Sequence, residues 1–186
     1  MTSNRVFVIS GPAGVGKGTV VSALRKRFPD LYVSISATTR PPRRGEVDGV
    51  HYFFVDESSF DQMIAGNDLL EWALVHRKYR YGTPRRPIEE AIASGRTAIL
   101  EIDLQGARQV RQSMPQAYQI FLKPPSWDEL VRRLTGRGTE SAEAIDRRLA
   151  TARTELAAAH EFDSVVVNAR LEETVDELVD LLGLSN

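Results

Sequence analysis

The chain has 186 residues, 42% of them hydrophobic and 26% charged, with a formal net charge of -1 and no cysteine. That suits one domain with a full core, and it excludes disulfides, thiol catalysis and cysteine-held metals. A charge near zero gives no general attraction to nucleic acid or membrane, so any anion site must be built from locally placed basic residues. No apolar run reaches the length of a membrane span. The first residues lead straight into a strand with no room for a signal peptide, so a soluble, cytoplasmic protein is expected.

Arg5 to Ser10 reads as a short apolar strand, followed by a glycine-rich turn and a helix with apolar residues at Val20, Val21, Leu24 and Phe28. Leu31 to Ser36 alternates like a strand, Ala37 to Gly49 is a loop rich in Pro, Gly and Arg, and His51 to Val55 reads as another strand. Asp56 or Ser58 caps a short helix through Ile64. Leu69 to Val75 is extended, and His76 to Arg86 is basic and aromatic without a clear period. Helices are predicted over Pro87 to Ala93, Leu104 to Met114, Trp127 to Leu134, Ser141 to Ala159 and Leu171 to Leu182. Strands at Thr97 to Ile102, Tyr118 to Leu122 and Ser164 to Asn168 alternate with them, which predicts an α/β fold with a parallel central sheet covered on both faces. Residues 36–86 break that alternation and read as a small insertion carrying a second binding site.

The chemistry concentrates in four places. In Gly11-Pro-Ala-Gly-Val-Gly-Lys-Gly-Thr19 the glycines let several N–H groups face one concavity, the helix start adds positive potential, and Lys17 supplies a mobile cation. Gly11, Gly16 and Lys17 fit the phosphate-loop pattern, but Gly18 stands where Ser or Thr is expected, with Thr19 next. Asp103 ends an apolar strand where ligands bind in open α/β sheets. It either serves a Mg²⁺ through water or caps the following helix, and both can hold. Arg40, Arg43 and Arg44 crowd one loop while Arg137, Arg147 and Arg148 flank a later glycine-bearing one, so phosphates are expected from two directions; singly, each reads as a surface charge. Glu71, between Leu70 and Trp72, is either an exposed edge residue or a buried reader of the guanine N1–H and N2–H₂ edge, with Ser36 and Thr83 as donors to guanine O6. His51, His76 and His160 show no metal-ligand spacing.

The ordered set of Gly11 to Thr19, Ser36-Ala-Thr-Thr-Arg-Pro-Pro-Arg43 with Gly45-Glu-Val-Asp-Gly49, His51-Tyr-Phe-Phe54, Leu70-Glu-Trp72, Tyr81-Gly-Thr83, Ile102-Asp-Leu-Gln-Gly106, Gly136-Arg-Gly-Thr139 and Val167-Asn168 resembles the guanylate kinases over almost the whole chain. The resemblance implies a P-loop three-layer fold and a single domain: core 1–35 and 87–186, a mixed, β-rich GMP-binding insertion 36–86, and a mobile lid at about 137–148. It implies transfer of a phosphoryl group from ATP, with Mg²⁺, to GMP and dGMP. By the same resemblance Gly11, Pro12, Ala13, Gly14, Val15, Gly16, Lys17, Gly18, Thr19 and Asn168 bind ATP, with Asn168 near adenine. Ser36, Arg40, Arg43, Tyr52, Glu71, Tyr81, Thr83 and Asp103 bind GMP. Lys17, Arg137, Arg148 and Asp103 act on the transfer. The metal is held mainly by phosphate oxygens and water, with Asp103 or Thr19 as the protein candidates.

The family pattern commonly has Ser at 13 and Ser or Thr at 18, where this chain has Ala and Gly. The stretch Val75 to Tyr81 is about one residue longer than usual, which leaves Tyr79 as an alternative to Tyr81. Two other readings stand beside this one: a kinase of the same shape for another phosphorylated acceptor, and a non-catalytic guanylate-kinase-like domain that binds proteins. ATP and GMP are the expected partners, without nucleic acid or membrane, in a monomer or weak homo-oligomer.

Overall fold

Five parallel strands carry the core of the computed structural model, which describes residues 5–136 and 138–185. Strands β1 (Val6–Ser10), β2 (Tyr32–Val33), β7 (Ala98–Glu101), β8 (Tyr118–Lys123) and β9 (Ser164–Val167) lie in the order β2-β7-β1-β8-β9. Every pairing in this sheet is parallel. β1 is central and wholly buried, which is why it reads as an unbroken apolar run. Its side chains alternate between faces. Phe7 and Ile9 pack with Val20 and Leu24 of α1 (Lys17–Arg27) and Val175 and Leu178 of α7 (Leu171–Leu182). Val6 and Val8 pack with Ile88 of α3 (Arg85–Ala93) and Leu104, Ala107 and Val110 of α4 (Leu104–Ser113).

A second, mixed sheet fills the expected insertion. Strands β3 (Ala37–Thr38), β4 (Phe53–Phe54), β5 (Leu69–Val75) and β6 (Tyr79–Pro84) lie in the order β4-β3-β6-β5. Phe60 of α2 (Glu57–Ala65) packs on Ala37 and Leu69 as a small core of its own. Past the main sheet, α5 (Trp127–Thr135) and α6 (Ala142–Ala157), capped by Ser126 and Ser141, form a further small cluster around Leu130, Leu134 and Ala152. Among the described residues no helix is long and apolar enough to cross a membrane.

Three expectations change. The strand expected over Leu31 to Ser36 is divided: Tyr32 and Val33 join β7 in the main sheet, while Ala37 and Thr38, expected in a loop, join the second. The chain changes sheets between them, and one strand cannot serve both. The strand expected over His51 to Val55 is ordered as such only at Phe53–Phe54. His76 to Arg86, expected without a strand, supplies β6. It follows a tight turn in which Lys78 N–H donates to Val75 C=O at 3.1 Å and His76 and Arg77 have φ of 51° and 54°. Such mirror-image turns normally announce themselves with Asn or Gly, and here neither is present.

The face beneath α4 depends on Phe121, fully buried with its ring centroid 5.1 Å from that of Phe162. Phe121→Ala is expected to destabilise the fold by about 3–5 kcal/mol, read as a lower urea midpoint at unchanged slope; a loss under about 1 kcal/mol would show that the face repacks.

Candidate active site

The phosphate loop follows from where β1 ends. Gly11 has φ 152°, and a Cβ there would lie 2.5 Å from the Leu122 carbonyl oxygen, so no other residue lets the loop approach β8 so closely. At Gly16, φ 99°, the chain enters α1 without a side-chain cap, leaving the helix's positive end to the loop's concavity. From behind, the Val15 carbonyl accepts from Asn168 Nδ2 at 2.8 Å and from Arg133 Nη1 at 3.1 Å. Asn168 is buried, and its Oδ1 accepts from the Thr174 hydroxyl at 2.9 Å. In this structure Asn168 therefore braces the loop, and Arg133, not singled out from sequence, does the same.

Lys17 Nζ donates to the carbonyls of Gly11 at 2.5 Å and Pro12 at 3.3 Å. Desolvation lowers its pKa, against the opposing pull of Glu155, Glu101 and Asp103. Desolvation in turn raises the carboxyls of Glu101 and Glu155, with Lys17 holding both down. Ala13, Lys17, Asp103, Leu104, Thr151 and Glu155 line one cavity of about 360 Å³. Neither Glu101 nor Glu155 stood out in the sequence. Glu101 had a signal, as the first polar residue of an apolar strand; Glu155 had none, because only folding brings α6 over the loop.

Asp103 caps α4, its Oδ1 accepting from Gly106 N–H at 2.8 Å, so the capping reading holds. Gly18 lies within α1, and a Cβ there would meet only Glu101 Oε1, at 3.6 Å. A serine would fit, so the glycine is no steric necessity. Among the described residues no group of three or more His, Asp or Glu is placed to enclose a metal.

The second cluster is built on Arg40, which is 6% exposed. Its fork grips Glu46, Nη1 to Oε2 at 3.0 Å and Nη2 to Oε1 at 2.9 Å. Its Nε donates to the Tyr81 hydroxyl at 3.1 Å, and the guanidinium lies 5.2 Å from the Tyr52 ring centroid. The Tyr52 and Tyr81 rings meet edge to face at 6.0 Å. Tyr81, rather than Tyr79, is thus the tyrosine joined to this cluster; Tyr79 lies under Lys78. Arg43, exposed, contributes its backbone N–H to Glu46 Oε2 at 2.7 Å. Arg40 first, then that N–H, holds the Glu46 carboxyl below the usual range.

Glu71 lies on the outer strand of the second sheet, yet its carboxylate turns inward. Oε1 accepts from the Thr83 hydroxyl at 2.7 Å, and Oε2 lies 3.1 Å from where a Cβ on Gly106 would be. Desolvation raises its pKa against the Thr83 hydrogen bond, and the charge of Asp103 adds to the rise. Thr83 is buried and its hydroxyl is committed to Glu71, so it meets a base through that carboxylate rather than directly. Ser36 is half-buried where the chain crosses between sheets. The charge of Asp103 acts on both Lys17 and Glu71 and so links the phosphate loop to the Glu71 carboxylate.

A cavity of about 370 Å³ that shares Ala13, Thr151 and Glu155 with the Lys17 cavity is lined further by Glu140, Arg147 and Arg148. Arg148 Nη1 pairs with Glu140 Oε1 at 2.9 Å. Arg137 lies outside the described residues.

Comparison with known proteins gives the family. The guanylate kinase family model matches residues 3–184. The guanylate kinase of Leifsonia xyli subsp. xyli is 62% identical over 177 residues, 95% of this chain and 70% of that protein. That of Thermobifida fusca is 60% identical over 179 residues, 96% of this chain and 91% of its own. Among solved structures, the guanylate kinase from Anaplasma phagocytophilum superposes with a TM-score of 0.71 at 32% identity, covering 97% of this chain and 86% of that one. A shikimate kinase from Bacteroides thetaiotaomicron, 18% identical with a TM-score of 0.51 over 96% of this chain and 98% of its own, shares the fold. The chain belongs to the guanylate kinase family.

Proposed function

We propose that the chain transfers the γ-phosphoryl group of ATP to a phosphate oxygen of GMP, and of dGMP, releasing ADP and the nucleoside diphosphate. The observation that carries the choice of acceptor is the inward-turned Glu71 carboxylate, set on Thr83 and beside Asp103. An ionised carboxylate accepts from N1–H and N2–H₂ of guanine and meets the unprotonated N1 of adenine unfavourably, and wrong bases leave its buried oxygens unpaired. Ser36 is the donor assigned to guanine O6. Family membership supports the same reaction.

The loop Gly11 to Thr19 holds the phosphates of ATP through backbone N–H groups, and Lys17 exchanges its loop carbonyls for phosphate oxygens. Arg43, Tyr52 and Tyr81 hold the acceptor phosphate, with Arg40 oriented behind them by Glu46. That phosphate has a second pKa of ~6 and arrives largely dianionic, so no general base is needed. Positioning and charge neutralisation then carry the in-line transfer, with Arg137 and Arg148 brought in as the lid, about 137–148, closes and excludes water. The donor set fits Mg²⁺, which takes one or two carboxylates plus substrate phosphates rather than a protein cage. Asp103, Glu101 and Thr19 are the residues to hold it, directly or through water, and Mg²⁺ bound with ATP supplies neutralisation of the β and γ oxygens. Using these substrates, the enzyme works in the cytoplasm.

A coupled assay with ATP across GMP, dGMP, AMP, CMP and UMP is expected to give its highest activity on the guanine nucleotides; a maximum on any other acceptor sinks the reading. Lys17→Ala is expected to lose roughly 10²–10³ in turnover while retaining its melting temperature, and near-normal turnover would remove Lys17 from the mechanism. Glu71→Gln separates function from stability. Because the fold raises the Glu71 pKa, the folded state binds that proton more readily than the unfolded one, so the ionised group weakens folding as pH rises above the ordinary carboxylate range. The variant is therefore expected to melt higher than the parent at neutral pH, with the gain fading as pH falls toward that range, while its GMP kcat/KM drops by about 10–100-fold. A lower melting temperature together with unchanged GMP kinetics would contradict both halves.

A further inference from the structure

A strand at the edge of a sheet leaves alternate N–H and C=O groups without a partner strand. β5 is such a strand, outermost in the order β4-β3-β6-β5, and a core helix takes up its free groups. Gln109 of α4 accepts from Trp72 N–H through Oε1 and donates from Nε2 to Trp72 C=O, both at 3.0 Å. Its side-chain amide stands where the next strand's peptide would be. One turn further along α4, Ser113 Oγ donates to the Leu70 carbonyl at 2.5 Å.

The two periods match. Four helical residues rise ~6 Å and two strand residues ~6.8 Å, so Gln109 and Ser113 meet alternate residues of β5 in step. Between those two anchors lies Glu71, and its Oε2 comes back to α4 over Gly106, 3.1 Å from a Cβ built there. Gly106, Gln109 and Ser113 lie on one stripe of the helix. Leu70 packs β5 into the cluster that holds Leu104, Ala107 and Val110 of α4; beside it a cavity of about 470 Å³ opens between β5 and α4, with Gln109, Gln112 and Ser113 in its wall. At Trp72, which is exposed, the two hydrogen bonds of Gln109 hold β5 to α4.

We propose that Gln109 is a positioning residue for acceptor specificity: by pairing with the free edge of β5 it fixes the Glu71 carboxylate over Gly106, and with it the preference for a purine bearing a 2-amino group. The proposal rests on Glu71 reading the acceptor base, as argued above. Loosening β5 would cost most for the acceptor that uses both carboxylate oxygens, and less for inosine monophosphate, which lacks the 2-amino group. It would leave the ATP side untouched.

The test is Gln109→Met in the full chain, which keeps the length of the side chain and removes both hydrogen bonds. The variant is expected to raise KM for GMP about tenfold, to lower the GMP-to-IMP ratio of kcat/KM, and to leave KM for ATP and kcat at saturation within about twofold. Ser113→Ala, which removes one bond to β5 where Gln109→Met removes two, should move the same quantities less, and Gln112→Met, on the same cavity, should leave them unchanged. An unchanged GMP KM and GMP-to-IMP ratio in Gln109→Met, an equal loss on GMP and IMP, or an equal rise in KM for ATP would each overturn the assignment. Glu71→Gln in the same assay separates the two claims. If it fails to lower the ratio, the base-reading role falls and Gln109 with it; if it lowers the ratio while Gln109→Met does not, only the positioning role falls.

Discussion

The hydrogen bond from Gly106 N–H to Asp103 Oδ1 fixes the start of α4, and both halves of the site are measured from there. Asp103 lines the cavity that holds Lys17, and its charge is felt by Lys17, Glu155 and Glu71. Three residues later the same helix lacks a side chain, which gives the Glu71 carboxylate room to approach. A parallel sheet delivers strand ends and helix starts to one edge. What makes this edge a two-substrate site is that one helix N-terminus is shared by the phosphate loop and the insertion.

The charge balance around that point is unusual for a site meant to receive anions. Glu101, Asp103 and Glu155 gather about a single lysine, and the charge of Asp103 also reaches Glu71. Desolvation raises three of the four, Glu71, Glu101 and Glu155. Burying carboxylates beside one another is unfavourable, and the fold tolerates it because its two large apolar faces supply stability elsewhere. Such a cluster favours arrival of positive charge over binding of naked phosphate. It also gives the departure at Gly18 a physical setting. A hydroxyl there would stand beside Glu101 Oε1, so the neighbourhood keeps an oxygen donor without it.

What the sequence displayed was whatever a local pattern can encode. The glycines of the phosphate loop, the unbroken apolar strands and the Asp103 position each have a signature within a few residues. β6 escaped notice because a turn at His76 and Arg77 carries positive φ without the residues that usually signal it, and because Tyr79, Arg80 and Tyr81 are not apolar on either face. The division between Tyr32–Val33 and Ala37–Thr38 has no local cue at all; it exists because two sheets claim neighbouring residues. For the same reason Glu155, Arg133 and Gln109 were silent. Each meets its partner across the tertiary structure: 138 residues separate Lys17 from Glu155, 118 separate Val15 from Arg133, and 37 separate Trp72 from Gln109. Thr83 and Asn168 were visible as residues, but which group each hydroxyl or amide would meet was decided by packing.

The way the parts are joined bears on which displacements the fold permits. The core's two faces are continuous apolar clusters, whereas the insertion has its own small core around Phe60 and the α5–α6 pair another around Leu130. Hydrogen bonds fasten the insertion to α4: Gln109 to Trp72, Ser113 to Leu70, and Arg85, which reaches both the Asn67 and Ser113 carbonyls. Leu70 of β5 belongs to the main face as well, so displacing the insertion costs less than opening β1 or β8 only where that contact is kept. Polar fastenings, in turn, are directional, and they restrict that displacement to motions that keep β5 in register with α4. Any displacement that keeps these fastenings also keeps the Glu71 carboxylate over Gly106.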